Sequence, residues 1–387
     1  MKTIGVVTGS RADYGIYRPV LRHILSSPDL QLRLIVCGMH LSPAYGLTVR
    51  DIEADGFTIA ARLPTLCDDD SPEGIGKSMG QGVTAFSEEF GRVRPDILLL
   101  LGDRYEMFAA AIAALPYAMP LAHIHGGELT EGLIDDAIRH SLTKMCHLHF
   151  VATEEYRRRV IQLGEAPDRV FTVGAPAIDL MSQLERLDRA ALSARLGISL
   201  DTPPLLVTHH PLTLAAEQAD AEVGVLLDAL ETFDQPIIIT YPNADTRASR
   251  IIERIGRFAA GRANVVFTES LGSQAYFSVM AIAGAMVGNS SSGIIEAASF
   301  RLPVVNIGDR QRGRVAGGNV IHVPADAETI REAIRKALSP EFRESLADQV
   351  NPYGRGTAAP RIVEVLRSVS LGQELVMKRF HDLEACG

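Results

Sequence analysis

Short, uninterrupted apolar runs recur along the chain. Each is followed by a loop bearing Gly, Ser, Asp or His, and then by a stretch whose apolar positions have helical spacing. The clear runs are Thr3–Thr8, Gln31–Cys37, Asp96–Leu101, Leu121–Ile124, Val170–Val173, Leu205–Thr208, Pro236–Thr240, Val265–Thr268, Ala285–Val287 and Pro303–Ile307. Continuous rather than alternating runs are the pattern of parallel strands covered on both faces by helices, so the chain reads as α/β. These runs are too many for one ordinary open sheet, and 387 residues suggest two domains. The break lies between Gly174 and Pro204, where the charged helical stretch Ala177–Ser199 and then Thr-Pro-Pro precede a fresh strand at Leu205. The expected division is 1–175, 176–360 and a C-terminal helical segment, 361–387. Two doubly wound domains meeting at a cleft are therefore expected, with ligands beyond the carboxyl ends of the strands.

Composition narrows the function classes. With 38 Lys+Arg against 47 Asp+Glu the formal charge is −9, which argues against nucleic acid or an anionic membrane as the main partner. The four cysteines show neither CxxC nor a metal-like spacing, as a reducing compartment allows. The start, MKTIGVVTGSRADYG, lacks the apolar run of a signal peptide. The most apolar window, Met107–Ala122, carries Pro116 and Pro120 and falls short of the roughly 20 residues that span a bilayer. It reads as a buried helix, a Pro-containing loop and the start of a strand. The protein is expected to be cytoplasmic.

The residues after the strands carry the chemistry. TGSRADYG (8–15) follows the first strand; its glycine permits a tight turn, the next helix start offers N–H groups to an anion, and Arg11 adds a cation. It is not GxGxxG, so a dinucleotide is not indicated, and a plain N-cap turn with a surface arginine competes. LGDRYE (101–106) puts Asp103 and Arg104 at the end of the most apolar strand, where Asp103 serves either as a helix N-cap or as an acid or base. HIHGGE (123–128), then Asp135, Asp136, Arg139, His140, His147 and His149, is the densest titratable cluster. On a strand His123 and His125 share a face; on a helix Asp135 pairs with Arg139, and Asp136 with His140. Solvated helix charges explain Arg139 but not a His-x-His-Gly-Gly-Glu turn. HxH beside carboxylates can hold zinc, yet later strand ends offer only His210 and Asn289, so no metal site is expected.

In the second half, THHPL (208–212) places His210 after a strand, and YPNADT (241–246) follows the next. GNSSSGIIE (288–296) makes a bed of backbone and hydroxyl donors for phosphate, with Glu296 one to two helical turns in for ribose hydroxyls. GDRQRGR (308–314) adds three arginines on a loop, which reads as a diphosphate clamp.

Together and in this order, TGSRADYG, LGDRYE, HIHGGE, DDAIRHSLTKMCHLHF, TEEYRRRVIQLGE, NADT, GNSSSG and NIGDRQRGR resemble the hydrolysing UDP-N-acetylglucosamine 2-epimerases of sialic-acid and legionaminic-acid biosynthesis. The resemblance implies the GT-B fold, two Rossmann-like domains with a nucleotide sugar between them. It implies uridine diphosphate on the second domain with help from Arg11, phosphate at Ser290 and Ser291, ribose at Glu296 and diphosphate at Arg310. Asn243 lines the cleft, His210 lies near the sugar and leaving phosphate, Asp103 is the catalytic aspartate and Asp135 a second acidic position. Some members carry Glu where this chain has His125, so either His125 or Glu128 takes that acid/base part. Asp13, Arg104, Arg139, His140, Gly288, Asn289 and Ser292 complete the expected substrate-binding set.

The implied reaction is elimination of UDP to a 2-acetamidoglycal followed by hydration to the free 2-epimer. The sugar is UDP-N-acetylglucosamine or its 2,4-diacetamido analogue, UDP-N,N'-diacetylbacillosamine. No cofactor and no metal are needed, and the expected partners are the nucleotide sugar and further copies of the chain, as a dimer or tetramer. A GT-B glycosyltransferase is the nearest rival; a metal-dependent hydrolase and a non-catalytic nucleotide-sugar sensor follow.

Overall fold

The computed structural model describes residues 1–67, 69, 71–130, 134–210, 216–241 and 248–383. Two parallel sheets organise them. The first contains β1 (Lys2–Thr8), β2 (Leu30–Cys37), β3 (Ile59–Leu63), β4 (Ile97–Leu101), β5 (Leu121–Ile124), β6 (Leu148–Val151) and β7 (Val170–Thr172), in the order β3-β2-β1-β4-β5-β6-β7. The second contains β8 (Leu205–Thr208), β9 (Ile237–Thr240), β10 (Val265–Thr268), β11 (Ala285–Gly288), β12 (Val304–Ile307) and β13 (Val320–Val323), in the order β10-β9-β8-β11-β12-β13. Every neighbouring pair is parallel, as the continuous apolar runs require. Each sheet reverses strand order once, between β1 and β4 and between β8 and β11. Those reversals are where doubly wound sheets open a crevice at their carboxyl ends.

The ten runs read from the sequence are all strands; β3, β6 and β13 were missed. β3 and β13 lie at sheet edges, and their half-exposed residues break the apolar run. β6 is fully buried but carries His149, which interrupts its hydrophobic signal. The apolar window resolves into the helix Tyr105–Ala114, a single turn Leu115–Tyr117 and β5.

The chain divides into two compact units. The first comprises 1–128, 134–180 and 354–387; the second comprises 129–133 and 181–353. The C-terminal segment thus belongs to the first unit. Its helix Ala358–Ser368 places Ile362 and Leu366, both fully buried, in one core with Tyr17, Val20, Leu21 and Ile24 of the helix Arg11–Ser26. Burying each such aliphatic side chain contributes about 1.5–3 kcal/mol. The helix start is fixed by Asp179, whose carboxylate accepts from the amides of Ala358 and Ala359 at 3.0 and 2.8 Å. The second unit has its own core of Leu205, Val207, Ile237, Ile239, Val287 and Val305 with the helix faces at Val223, Leu227, Ile330 and Ile334. Among the described residues no helix is long and apolar enough to cross a membrane.

Candidate active site

At the first reversal, β1 ends at Thr8 and the helix Arg11–Ser26 begins. Ser10 caps that helix by accepting from the Asp13 amide, while the Asp13 carboxylate reaches back to the Gly9 amide at 3.3 Å. Asp13 is buried and faces Arg104, the residue after Asp103 on the neighbouring strand end, with Arg104 Nε 3.9 Å from Asp13 Oδ2. Glu106, 1% exposed, clamps the same guanidinium from below, Arg104 Nε and Nη2 each donating to it at 3.2 Å. Burial pushes the Asp13 carboxyl up to about 6; Arg104 opposes this and Glu106 adds to it. Arg11 is exposed at the first position of the helix.

One strand further, β5 stops at Ile124, and His125 turns away with φ 67, a strained conformation for a residue with a Cβ. His123 and His125 therefore do not share a face. His123 is fully buried and its Nε2 donates to the Gly102 carbonyl at 2.7 Å; burial takes its pKa down to about 3, so it is neutral. His125 Nδ1 lies 2.6 Å from Glu128 Oε1, and both residues are buried. The Nδ1 side faces Glu128, and among the described residues the buried Nε2 has no hydrogen-bond partner. Gly127 makes the turn possible: its φ is 79, and a Cβ there would lie 2.5 Å from the Tyr156 carbonyl.

The helix Ile134–Met145 brings the remaining groups. Arg139, 1% exposed, ion-pairs with Asp103, donates to Asp136 Oδ1 at 3.1 Å and to the Glu128 carbonyl at 2.9 Å. Read from the sequence as a partner of Asp135 at i,i+4, it instead sits inside the protein and holds Asp103. Asp135 is left beside Asp103: burial, and then the Asp103 charge, push it up to about 6 against Arg104 and Arg139. His140 does meet Asp136, Nε2 to Oδ2 at 3.5 Å. Asp103, the His125–Glu128 pair and Asp135 so gather at the ends of β4 and β5. These ends adjoin, since the Gly102 amide donates to the Ile124 carbonyl at 2.9 Å.

In the second unit the reversal between β8 and β11 is equally tight. Gly288 has φ 134, and a Cβ on it would be 2.0 Å from the Thr208 carbonyl. Asn289, 1% exposed, binds His210 twice, accepting from its amide at 2.7 Å and donating to its carbonyl at 2.9 Å. The Asn289 carbonyl accepts from Arg310 Nη1 at 3.2 Å and Gln311 Nε2 at 2.8 Å. Asn289 ties the loops after β8, β11 and β12 together. His210 is buried next to Arg310, and burial, then Arg310, take it down to about 3, so its ring is neutral. Ser290 caps the helix Ser291–Ile295 by accepting from the Ser292 amide at 3.3 Å. Glu296 is the C-cap of that short helix, six residues and so about one and a half turns past Ser290, as the sequence suggested. Arg314 donates to the Leu129 carbonyl at 3.3 Å, within the same unit. Asn243 lies outside the described residues.

Three residues were missed. Glu106 was readable in LGDRYE as a carboxylate two positions after Arg104. Gln311 stands between the arginines of the loop. Tyr276, whose hydroxyl is shared with Ser290, Ser292 and Thr208 and whose pKa burial raises to about 12, lies in a helix with no local signal. No three His, Cys, Asp or Glu side chains among the described residues group so as to hold a metal ion.

Two doubly wound parallel sheets, with polar residues at both strand-order reversals, define an α/β enzyme of GT-B fold. The sequence profile of the UDP-N-acetylglucosamine 2-epimerases matches residues 22–367, and the chain belongs to that family. It is 39% identical over 99% of both chains to GDP/UDP-N,N'-diacetylbacillosamine 2-epimerase (hydrolyzing) of Campylobacter jejuni. It is 37% identical over 98% of its length, and 99% of the relative, to UDP-N,N'-diacetylbacillosamine 2-epimerase (hydrolyzing) of Legionella pneumophila. With UDP-N-acetylglucosamine 2-epimerase of Neisseria meningitidis it shares 31% over 99% of this chain and all of that one. The crystal structure of a Neisseria meningitidis UDP-GlcNAc 2-epimerase bound to UDP-GlcNAc superposes with a TM-score of 0.80 at 20% identity, covering 95% of this chain and 99% of that one.

Proposed function

We propose that the chain is a hydrolysing 2-epimerase that converts UDP-N,N'-diacetylbacillosamine to the free 2-epimeric sugar and UDP. The observation that carries the reaction type is the pairing of two separate proton carriers on adjoining strand ends, the His125–Glu128 pair and the Asp103–Asp135 carboxylates. A 2-epimerase needs two, because the C2 proton leaves from one face of the sugar and another must arrive on the opposite face. In the first step a base takes the C2 proton while the C1–O bond to UDP breaks, giving the 2-acetamidoglycal and UDP. In the second, water adds its oxygen to C1 and a proton is delivered to C2. His125, oriented by Glu128 and with its buried Nε2 unpartnered among the described residues, suits the base; Asp135, raised to about 6 by burial and then by the Asp103 charge, suits the acid. Leaving-group charge is met in the second unit by Arg310, Ser291 and Ser292. Neutral His210, beside Arg310, accommodates the departing phosphate without a competing charge.

The choice of sugar rests on the two relatives at 39% and 37%, both named for diacetylbacillosamine. UDP-N-acetylglucosamine is the second reading, supported by the Neisseria relative. We also assign the reaction to the cytoplasm, where Cys37, Cys67 and Cys146 stay as the free thiols seen here. The test is incubation with UDP- and GDP-linked diacetylbacillosamine and with UDP-N-acetylglucosamine, without any acceptor and after exhaustive chelation. Nucleotide release and the free sugar are followed by NMR. Release of UDP with the 2-epimer from diacetylbacillosamine is expected, at least tenfold faster than from UDP-N-acetylglucosamine. A requirement for an acceptor returns the glycosyltransferase, and loss of activity on chelation returns the metal hydrolase.

A further inference from the structure

At the edge of the first sheet opposite the candidate site, the C-terminal strap crosses the end of the helix Ile134–Met145. Lys378 Nζ donates to the carbonyls of Cys146 and Lys144 at 2.6 and 2.8 Å, with that of Thr143 at 3.5 Å. These are the carbonyls a helix leaves unsatisfied at its C-terminus, where a cation is also favoured by the helix dipole. The same ammonium pairs with Glu165 at 2.7 Å. Glu165 is 2% exposed and further accepts from Lys144 at 2.6 Å and His149 Nε2 at 2.9 Å. The strap is also fixed just after Lys378. The His381 amide donates to the Gly164 carbonyl at 2.9 Å, and the Phe380 ring fills the place a Gly164 Cβ would take, 2.3 Å away.

This helix carries Arg139, the buried arginine that holds Asp103. Its last turn reaches Asp103 by a second route. Thr143 Oγ1 donates to the Arg139 carbonyl at 3.1 Å and lies 3.5 Å from His123 Nδ1, and His123 donates to the carbonyl of Gly102, the residue before Asp103. His149, the residue paired with His123 across β5 and β6, returns the chain of buried groups to Glu165. Nothing in the proposed reaction uses Lys378, Glu165 or His149. Yet together they set how far along its axis the helix sits, and a displacement of about 1 Å at a reacting group can cost about 10²-fold in rate.

We propose that Lys378 is a positioning residue: by clamping the C-terminus of the helix Ile134–Met145 it sets the Arg139–Asp103 geometry on which turnover depends. This rests on the proposed role of Asp103. The loss should fall on turnover and leave nucleotide binding alone, because Ser290–Ser292 and Arg310 belong to the other unit.

The test compares Lys378→Met and Lys378→Arg in the full chain, by kinetics and by amide hydrogen exchange. Lys378→Met is expected to lower kcat about tenfold with KM within about twofold, and to speed exchange over residues 140–146 and 102–105; Lys378→Arg, which keeps charge and donors, restores both. The exchange readout needs no turnover, so it stands even if the wild type acts on none of the nucleotide sugars, in which case only the functional reading fails. Unchanged kcat with wild-type exchange in Lys378→Met overturns the inference. So does faster exchange across the whole sheet rather than over those two segments, since that marks general destabilisation. If Lys378→Met does not fold, Lys378→Gln serves the same comparison, and wild-type kcat and exchange there overturn it equally.

Discussion

At the strand-order reversal of the first sheet, Asp13, Asp103, Arg104 and Glu106 crowd together, with Asp135 and the His125–Glu128 pair one strand away. At the corresponding reversal of the second sheet stand Thr208, His210, Asn289 and Ser290, with His210 held neutral by burial. Strand order, connection and position are the same, but the chemistry is opposite. Carboxylates that are costly to bury remain where protons must move. Neutral hydrogen-bonding groups line the place where a ligand can bring its own charge, and Arg310 is the cation supplied there. Fold thus sets where the polar residues fall, and on the proposed reading residue type decides which sheet does acid–base work and which one binds.

The sharpest way to break this division is Asp103→Asn. It removes a proton carrier and half of the Arg139 ion pair while changing almost no volume, so kcat should fall by at least about 10³-fold. UDP affinity, measured by calorimetry, should stay within about twofold of wild type. Equal losses in binding and turnover would mean that the charged edge also holds the nucleotide. The reciprocal variant is Arg310→Ala, for which KM should rise about 10–30-fold and kcat fall less than about threefold. A loss confined to kcat would move Arg310 into the chemical step and blur the contrast.

The division was partly legible in the sequence. Ten strands announced themselves as apolar runs, and the residues after them, from TGSRADYG to GDRQRGR, include nearly every polar group found at the two reversals. What could not be read were the pairings. Arg139 and Asp135 have ideal helical spacing, but Asp103, arriving from another strand, outcompetes Asp135 for the guanidinium. The HxH pattern suggested a shared face, but strand pairing ends one residue too early and His125 turns out with positive φ. That Asn289 braces His210 and Arg310 could not be read, because it depends on loops far apart in sequence. Tyr276 and Lys378 have no local signal, since each acts only through what the fold brings to it.

The smallest effect predicted concerns the cost of keeping charge at the first edge. Asp13 has a native pKa of about 6 against an ordinary 3.8, a difference that corresponds to about 3 kcal/mol. A carboxyl raised in this way binds its proton more tightly in the folded state. Its contribution to stability is therefore full below pH 3.8, falls as pH rises through the folded value near 6, and is absent above it. Asn at this position carries no charge at any pH and keeps an oxygen for the Gly9 amide. Asp13→Asn should accordingly be more stable than wild type at pH 8 by about 3 kcal/mol, with the gain shrinking to nearly nothing at about pH 3.8. Since the chain has no tryptophan, urea unfolding followed by circular dichroism is the suitable measurement. A gain that is the same at both pH values would show that the carboxyl is not strained by its burial. A loss at pH 8 would show that Arg104 relies on Asp13 as much as on Glu106, making the charged edge one mutually stabilised cluster rather than a set of groups held there against their preference.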